Sequence, residues 1–129
     1  MAYTFLKAKG IGIGKSLLEQ HRVSLAQEIL KQAEDLKVKI LLPIDHVTGD
    51  GEKNNPSVVD GEVSMDRLGL DIGPKTAALF IAEIDKAKLV LWNGPVGLFE
   101  VPPYDQGSRA IAHALAQRHP NLISIIAGG

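Results

Sequence analysis

The stretch 68-LGLDIGPKTAALFIAEIDKAKLVLWNGPVGLF-99 reads as strand, helix, strand and loop in immediate succession. Residues from Leu68 form a short strand or extended loop that Gly73-Pro74 stops. Pro74 suits the first turn of a helix, where its missing N–H is not needed. The helical pattern carries on towards Ala87, and 89-LVLWN-93 is a short apolar strand that ends in a Gly-Pro-Val-Gly loop. A strand, a helix and a second strand at this spacing predict parallel strands joined by a helical crossover.

The flanking segments extend the pattern. In 23-VSLAQEILKQAEDL-36, Val23, Leu25, Ile29, Leu30 and Leu36 share one face and Gln, Glu and Lys fill the other, as in an amphipathic helix. The continuous apolar run 38-VKILLPID-45 has the length of a buried strand. The segment 49-GDGEKNNPSVVDGE-62 reads as an exposed loop or hairpin with a short Val58-Val59 piece. A further helix is expected from about Asp105 to Arg118, closed by Pro120, and 121-NLISIIAGG-129 reads as another buried strand. The fold class expected is therefore α/β, a doubly wound, Rossmann-like parallel sheet. Ligands in such sheets bind beyond the carboxyl ends of the strands. Those ends would be Asp45-His46, Asn93-Gly94-Pro95 and Ala127-Gly128-Gly129. A three-strand parallel sheet has a bare edge, and the chain stops on glycines where a functional loop is expected. Both features predict a truncated piece of a larger protein.

Bulk properties narrow the partners. The 129 residues are 45% hydrophobic and 22% charged, which suits one soluble globular domain. A net charge of −1 gives no broad basic field for nucleic acid. No apolar run approaches the ~18 residues of a membrane span, and the N-terminus lacks the order of a signal peptide. The absence of cysteine excludes disulfides and thiolate metal sites and fits a cytoplasmic location.

The candidate ligand motifs are two glycine-rich loops. In 10-GIGIGKSLLEQ-20 the glycines precede Lys15-Ser16, but a phosphate-cradling loop needs a glycine five positions before Gly14, and Lys9 stands there. The dinucleotide fingerprint fails as well, because its third glycine would fall on Lys15. The segment is expected to be a flexible connector, with Ser16 or a neighbour opening the next helix. The loop 92-WNGPVGLFE-100 sits at a strand end. Gly94 and Gly97 allow close backbone approach, N–H groups of Val96 and its neighbours offer donors to phosphate, and Glu100 offers an acceptor to ribose. A bare strand-to-helix turn is the alternative. Elsewhere, His21, His46, His113 and His119 are scattered, and 46-HVTGDGE-52 does not match a calcium loop. Trp92 is expected to pack in the core, and Ser108 and Ser124 have no base nearby in sequence.

Six stretches carry a family resemblance: 1-MAYTFLKA-8, 15-KSLLE-19, 39-KILLPID-45, 69-GLDIGPKT-76, 91-LWNGPVGLFE-100 and 124-SIIAGG-129. In order and spacing they resemble the nucleotide-binding half of phosphoglycerate kinase along nearly the whole chain. The resemblance implies a partial C-terminal domain of a two-domain enzyme that moves a phosphoryl group between 1,3-bisphosphoglycerate and ADP, giving 3-phosphoglycerate and ATP, with Mg²⁺. It implies that Gly69 and Leu70 line an adenine pocket and that Asn93, Pro95 and Val96 bound the nucleotide near its ribose and phosphates. Glu100 would hold the ribose, and Gly128 and Gly129 would begin a Gly-Gly-Asp-Thr/Ser turn at the phosphates. The metal-meeting Asp and its Thr or Ser neighbour would follow Gly129. The basic phosphoglycerate site would lie in the other domain, and nucleotide-site lysines upstream of Met1. The resemblance therefore implies no catalytic or metal-binding residue within this chain and no transfer by it alone. The family's Asp-Lys-Phe near the adenine pocket corresponds here to 50-DGE-52. The intact family protein is expected to be a monomer, while this piece is expected to self-associate through open sheet edges.

Overall fold

The computed structural model describes residues 1–117 and 122–127. Gly128, Gly129, Arg118 and Pro120 lie outside the described residues. The chain opens with helix α1 (Ala2–Ala8), which buries Thr4 and Leu6 and ends before Gly10, whose φ of 80° breaks the helix. A single 3₁₀ turn, Gln20–Arg22, leads directly into α2 (Val23–Asp35). The helix expected there is present, yet only Ala26 on it is buried, while Leu25, Ile29 and Leu36 stay exposed.

The strand expected over 38–45 is absent. Residues 38–44 are irregular, and strand β1 (Asp45–Gly49) begins where the expected one ends. The reason is a missing neighbour, since a strand exists only through its ladder and residues 38–44 meet none among the described residues. The backbone groups of Ile44 turn elsewhere: its N–H donates to Thr76 Oγ1 at 3.0 Å and its carbonyl accepts from Gly61 N–H at 2.9 Å. Asp45 and His46 accordingly stand at the start of a strand, not at its carboxyl end.

Strand β2 (Ser57–Asp60) lies within the expected loop or hairpin, and β3 (Leu68–Ile72) follows. Both pair antiparallel to β1, giving the order β2-β1-β3 with a register shift at Val47/Thr48. The turn after β1 is too short for a crossover, so the chain can only double back. Asp50 closes it by accepting the N–H groups of Glu52 (3.0 Å) and Asn54 (2.8 Å). Helix α3 (Pro74–Ile84), with Pro74 in its first turn, then leads to β4 (Leu89–Asn93). Helix α4 (Gln106–Gln117) crosses to β5 (Ile123–Ala127), which pairs parallel to β4 from Leu89↔Ile123 to Asn93↔Ala127. The single doubly wound sheet expected from the sequence is thus two small sheets, and only β4-α4-β5 keeps the parallel crossover. The core joins them: Ile72, Ile111 and Leu115 are buried, with Ala77, Phe80, Ile84, Val90, Trp92, Val96 and Leu122 packed around them. Leu89, Leu91, Ile123 and Ile125 are exposed, so one face of the parallel pair stays open.

Candidate functional site

The connector 10–16 is tied down along its length. Val63 N–H donates to Gly12 O (2.9 Å), Lys15 N–H to Arg67 O (2.8 Å), and Ile13 bridges Val63. Gly14 adopts φ 54°, and a Cβ there would overlap Ser64 O, so its glycine serves close backbone contact. Ser16 opens no helix. It is buried, and its Oγ accepts the N–H of Gly69 at 2.9 Å, fixing that residue. Leu17, next along the connector, reaches the cavity described below.

The loop after β4 is held as firmly. Ser108 Oγ accepts the Val96 N–H (2.9 Å) and donates to the Val96 carbonyl (2.6 Å). Leu98 N–H donates to Leu70 O at 2.7 Å, and Gly94 N–H to Ala127 O at 3.1 Å. The N–H groups of Gly94, Val96 and Leu98 are therefore already used within the protein. Ser108, which lacks a role in the sequence reading, is the clamp of this loop. Replacing Ser108 with Ala should cost about 1–2 kcal/mol, because a partly buried N–H and carbonyl both lose their partner. Amide hydrogen exchange at Val96 should accelerate by about ten- to thirtyfold, and an unchanged rate would show that the clamp is idle.

Asp71 joins the two halves. Its carboxylate accepts Gly107 N–H at the start of α4 and Ile72 N–H, both at 2.8 Å. Burial pushes its pKa upward against those two donors, and Asp105 adds to the rise. On the other side, Tyr3 of α1 places its hydroxyl over Gly69, where a Cβ would overlap it. Burial and the nearby Asp71 raise the Tyr3 hydroxyl pKa strongly, so it stays a neutral donor.

These elements enclose a cavity of about 440 Å³. Gly69 and Leu70 form one part of its wall and Pro95 and Val96 another, so four of the residues expected at a site meet there. Leu98 and Gly97 complete the loop side, Phe80 of α3 adds a ring, and Met1, Ala2, Tyr3 and Leu17 form the side of α1. Sequence reasoning missed Tyr3 and Leu17 as wall residues, although both belong to stretches that carry the resemblance. Residues 50–52 are not in this wall; its aromatic rings are Tyr3 and Phe80. A second cavity of about 560 Å³ adjoins it at Pro95, beyond the carboxyl ends of β4 and β5. Glu100, Trp92, Phe99 and Ala127 line it. Asn93 is exposed at the end of β4 and lines neither cavity.

The first cavity is apolar and carries no lysine or arginine among the described residues. Such a slot suits a flat, uncharged ring. Among the described residues no group of three His, Asp or Glu is placed to hold a metal ion. Trp92 packs on the core as expected, and its buried Nε1 has no partner among the described residues.

A family model described as phosphoglycerate kinase matches residues 1–129. The chain belongs to the phosphoglycerate kinase family. The cytosolic phosphoglycerate kinase of Trypanosoma congolense is 47% identical over 134 residues, covering 100% of this chain and 32% of that protein. The phosphoglycerate kinase of Anaeromyxobacter sp. (strain Fw109-5) is 45% identical over 132 residues, covering 100% of this chain and 33% of that protein. The solved phosphoglycerate kinase from Coxiella burnetii superposes with a TM-score of 0.93 at 37% identity, over 99% of this chain and 33% of that one. The Pyrococcus horikoshii enzyme, at 20% identity and a TM-score of 0.72, shares the fold. This chain spans about a third of the length of the phosphoglycerate kinases it matches. No helix among the described residues is long and apolar enough to cross a membrane.

Proposed function

We propose that this chain is part of the ATP/ADP-binding domain of a phosphoglycerate kinase, in which the whole protein transfers a phosphoryl group between 1,3-bisphosphoglycerate and ADP in glycolysis. One observation carries the reading: Gly69-Leu70 and Pro95-Val96, far apart in sequence, face one apolar cavity. The base of a nucleotide would occupy that cavity, with its ribose and phosphates leading past Pro95 towards Glu100 and the second cavity. Gly69 and Gly97 leave room for Tyr3 and for Asp71 to pack behind the wall, and Leu70, Val96 and Leu98 exclude water from the faces of the ring. Mg²⁺ neutralises phosphate charge in phosphoryl transfer when it accompanies the nucleotide. The described residues supply no donor set for a resident ion, so this chain contributes binding and orientation of the base. Phosphoglycerate would be held by the rest of the protein. We assign the cytoplasm as its location and expect no membrane or nucleic-acid partner.

A Mg·ADP titration followed by amide NMR tests this. Gly69, Leu70, Val96 and Gly97 should shift together and saturate at one dissociation constant. Scattered or absent shifts would remove the nucleotide reading.

A second reading is a binding module without turnover. Among the described residues the second cavity, where the phosphates would lie, is lined by Glu100 and by no lysine or arginine, which favours it for the chain by itself, because phosphoryl transfer depends on positive charge at the moving group. Purified chain is expected to show no ATP consumption driven by 3-phosphoglycerate in a coupled assay. Measurable turnover would place catalysis within these residues. The exposed Leu89, Leu91, Ile123 and Ile125 support self-association of the chain, which sedimentation at several concentrations reads directly.

A further inference from the structure

His46 is fully enclosed, 1% exposed, and it makes two bonds that leave no choice of tautomer. Its Nε2 lies 3.1 Å from the Gly61 carbonyl, which can only accept, so Nε2 carries the hydrogen. Nδ1 of the neutral ring is then a lone pair, and it lies 3.2 Å from the Tyr3 hydroxyl, which donates to it. The two rings stand 5.4 Å apart, tilted by 37°. The Tyr3 hydroxyl is the atom that a Cβ on Gly69 would overlap, and Tyr3 and Gly69 both face the apolar cavity.

We propose that His46 is a positioning residue for the cavity: by accepting the Tyr3 hydroxyl it ties α1 to the antiparallel sheet and holds the Tyr3 ring over Gly69, setting the width of the slot for a planar ring. This rests on the nucleotide reading of the cavity. His46 touches neither the cavity nor any ligand in it and acts only through Tyr3. Burial lowers the His46 pKa, against opposing effects of the Gly61 carbonyl and of Asp45 beside it. The imidazole therefore stays neutral, and Nδ1 stays an acceptor, at neutral pH. Of the other charged groups nearby, Asp71 acts on Tyr3, and Asp60, opposite Asp45 in register, is paired with Lys75 at 2.6 Å.

The test is a double-mutant cycle on the full chain with Tyr3→Phe, His46→Leu and the pair, reading the Mg·ADP dissociation constant by calorimetry. Thermal unfolding and the ring ¹⁵N spectrum of His46 are recorded alongside. Each single change should weaken binding about three- to tenfold, the range that one net hydrogen bond supplies. The double change should be no weaker than either single one. His46→Gln keeps one neutral donor and one acceptor and should recover most of the affinity. Effects that multiply in the double variant, or Tyr3→Phe binding as tightly as the parent, would overturn the proposal. If the parent binds no Mg·ADP at all, the nucleotide reading fails, and the clamp is judged on the spectrum. An Nδ1 resonance that moves in Tyr3→Phe supports it, and one that does not overturns it.

Discussion

The Asp45→Ala protein is expected to lose about 3 kcal/mol of stability in a urea titration, a large share of the 5–15 kcal/mol that a domain of this kind has. Asp45 is fully buried, and its carboxylate accepts Lys75 N–H (2.9 Å), Thr76 N–H (2.7 Å) and the Thr76 hydroxyl (2.6 Å). It thereby caps α3 from another strand, satisfying two of the N–H groups that a helix start leaves open. The Thr76 Oγ1 in turn accepts Ile44 N–H, so one carboxylate organises the helix start and the entry to β1. Alanine removes every one of these acceptors in a place that water does not reach. Burial by itself would raise the Asp45 pKa, but the Thr76 hydroxyl, the two backbone donors and His46 outweigh it and hold it below the ordinary carboxylate value. The sign follows: the native state binds the proton less readily than the unfolded chain, so the contribution is complete above the unfolded value. It is lost as pH falls through the lower native value. The gap between parent and variant should stay level above about pH 5 and narrow below pH 4. A gap that is constant down to strong acid, or a loss under 1 kcal/mol, would show that the carboxylate does not hold this junction.

Gly97→Ala is expected to be equally damaging and to take the cavity with it. At φ 72° any side chain is strained, and a Cβ there would overlap the Asp71 carboxylate and come within 2.6 Å of Tyr104 O. Backbone strain contributes about 1–2 kcal/mol and forced overpacking about 1–3 kcal/mol. The Asp71 carboxylate cannot move aside without releasing Gly107 N–H at the start of α4. Since Gly97 lines the cavity, Mg·ADP affinity should fall by more than tenfold in the same protein. Gly94→Ala is the internal comparison: its φ is 84° but nothing lies within 4 Å of the added carbon. It should cost only the strain, about 1–2 kcal/mol, and leave the cavity intact. Equal losses for the two variants would mean that close approach at Gly97 is unimportant.

Local patterns predicted what they control. The amphipathic run from Val23, the Gly73-Pro74 stop, and the apolar strands from Leu89 and after residue 121 all appear within a residue or two of their expected bounds. The last strand, however, expected to be buried, is exposed from Ile123 to Ala127 because β4 is its one neighbour among the described residues. The β4-α4-β5 crossover was legible because a helix between two apolar strands leaves little choice of hand or direction. The loop 94–98 was legible as a special turn, and its Gly94 and Gly97 indeed have positive φ. What those glycines face was not legible. Within that loop the N–H groups of Val96, Leu98 and Gly94 are taken by Ser108, Leu70 and Ala127, each contributed by a different element.

By itself, then, the sequence determined the family and most of the helices, because these are written in contiguous motifs and short-range periodicity, while 69–70 and 95–96 were named through the family resemblance. Only the tertiary structure decided which strands pair, and it turned one expected parallel sheet into an antiparallel trio and a parallel pair. It also decided that 38–44 is no strand, that the first glycine-rich segment is a backbone splice, and that Asp45, His46, Asp71 and Ser16 are buried and hydrogen-bonded to partners far away in sequence. The physical reason is common to all of them. A ladder partner, a buried carboxylate's donors or a ring over a glycine is chosen by contacts between residues some 30 to 53 positions apart, and no window of sequence contains both sides of such a contact.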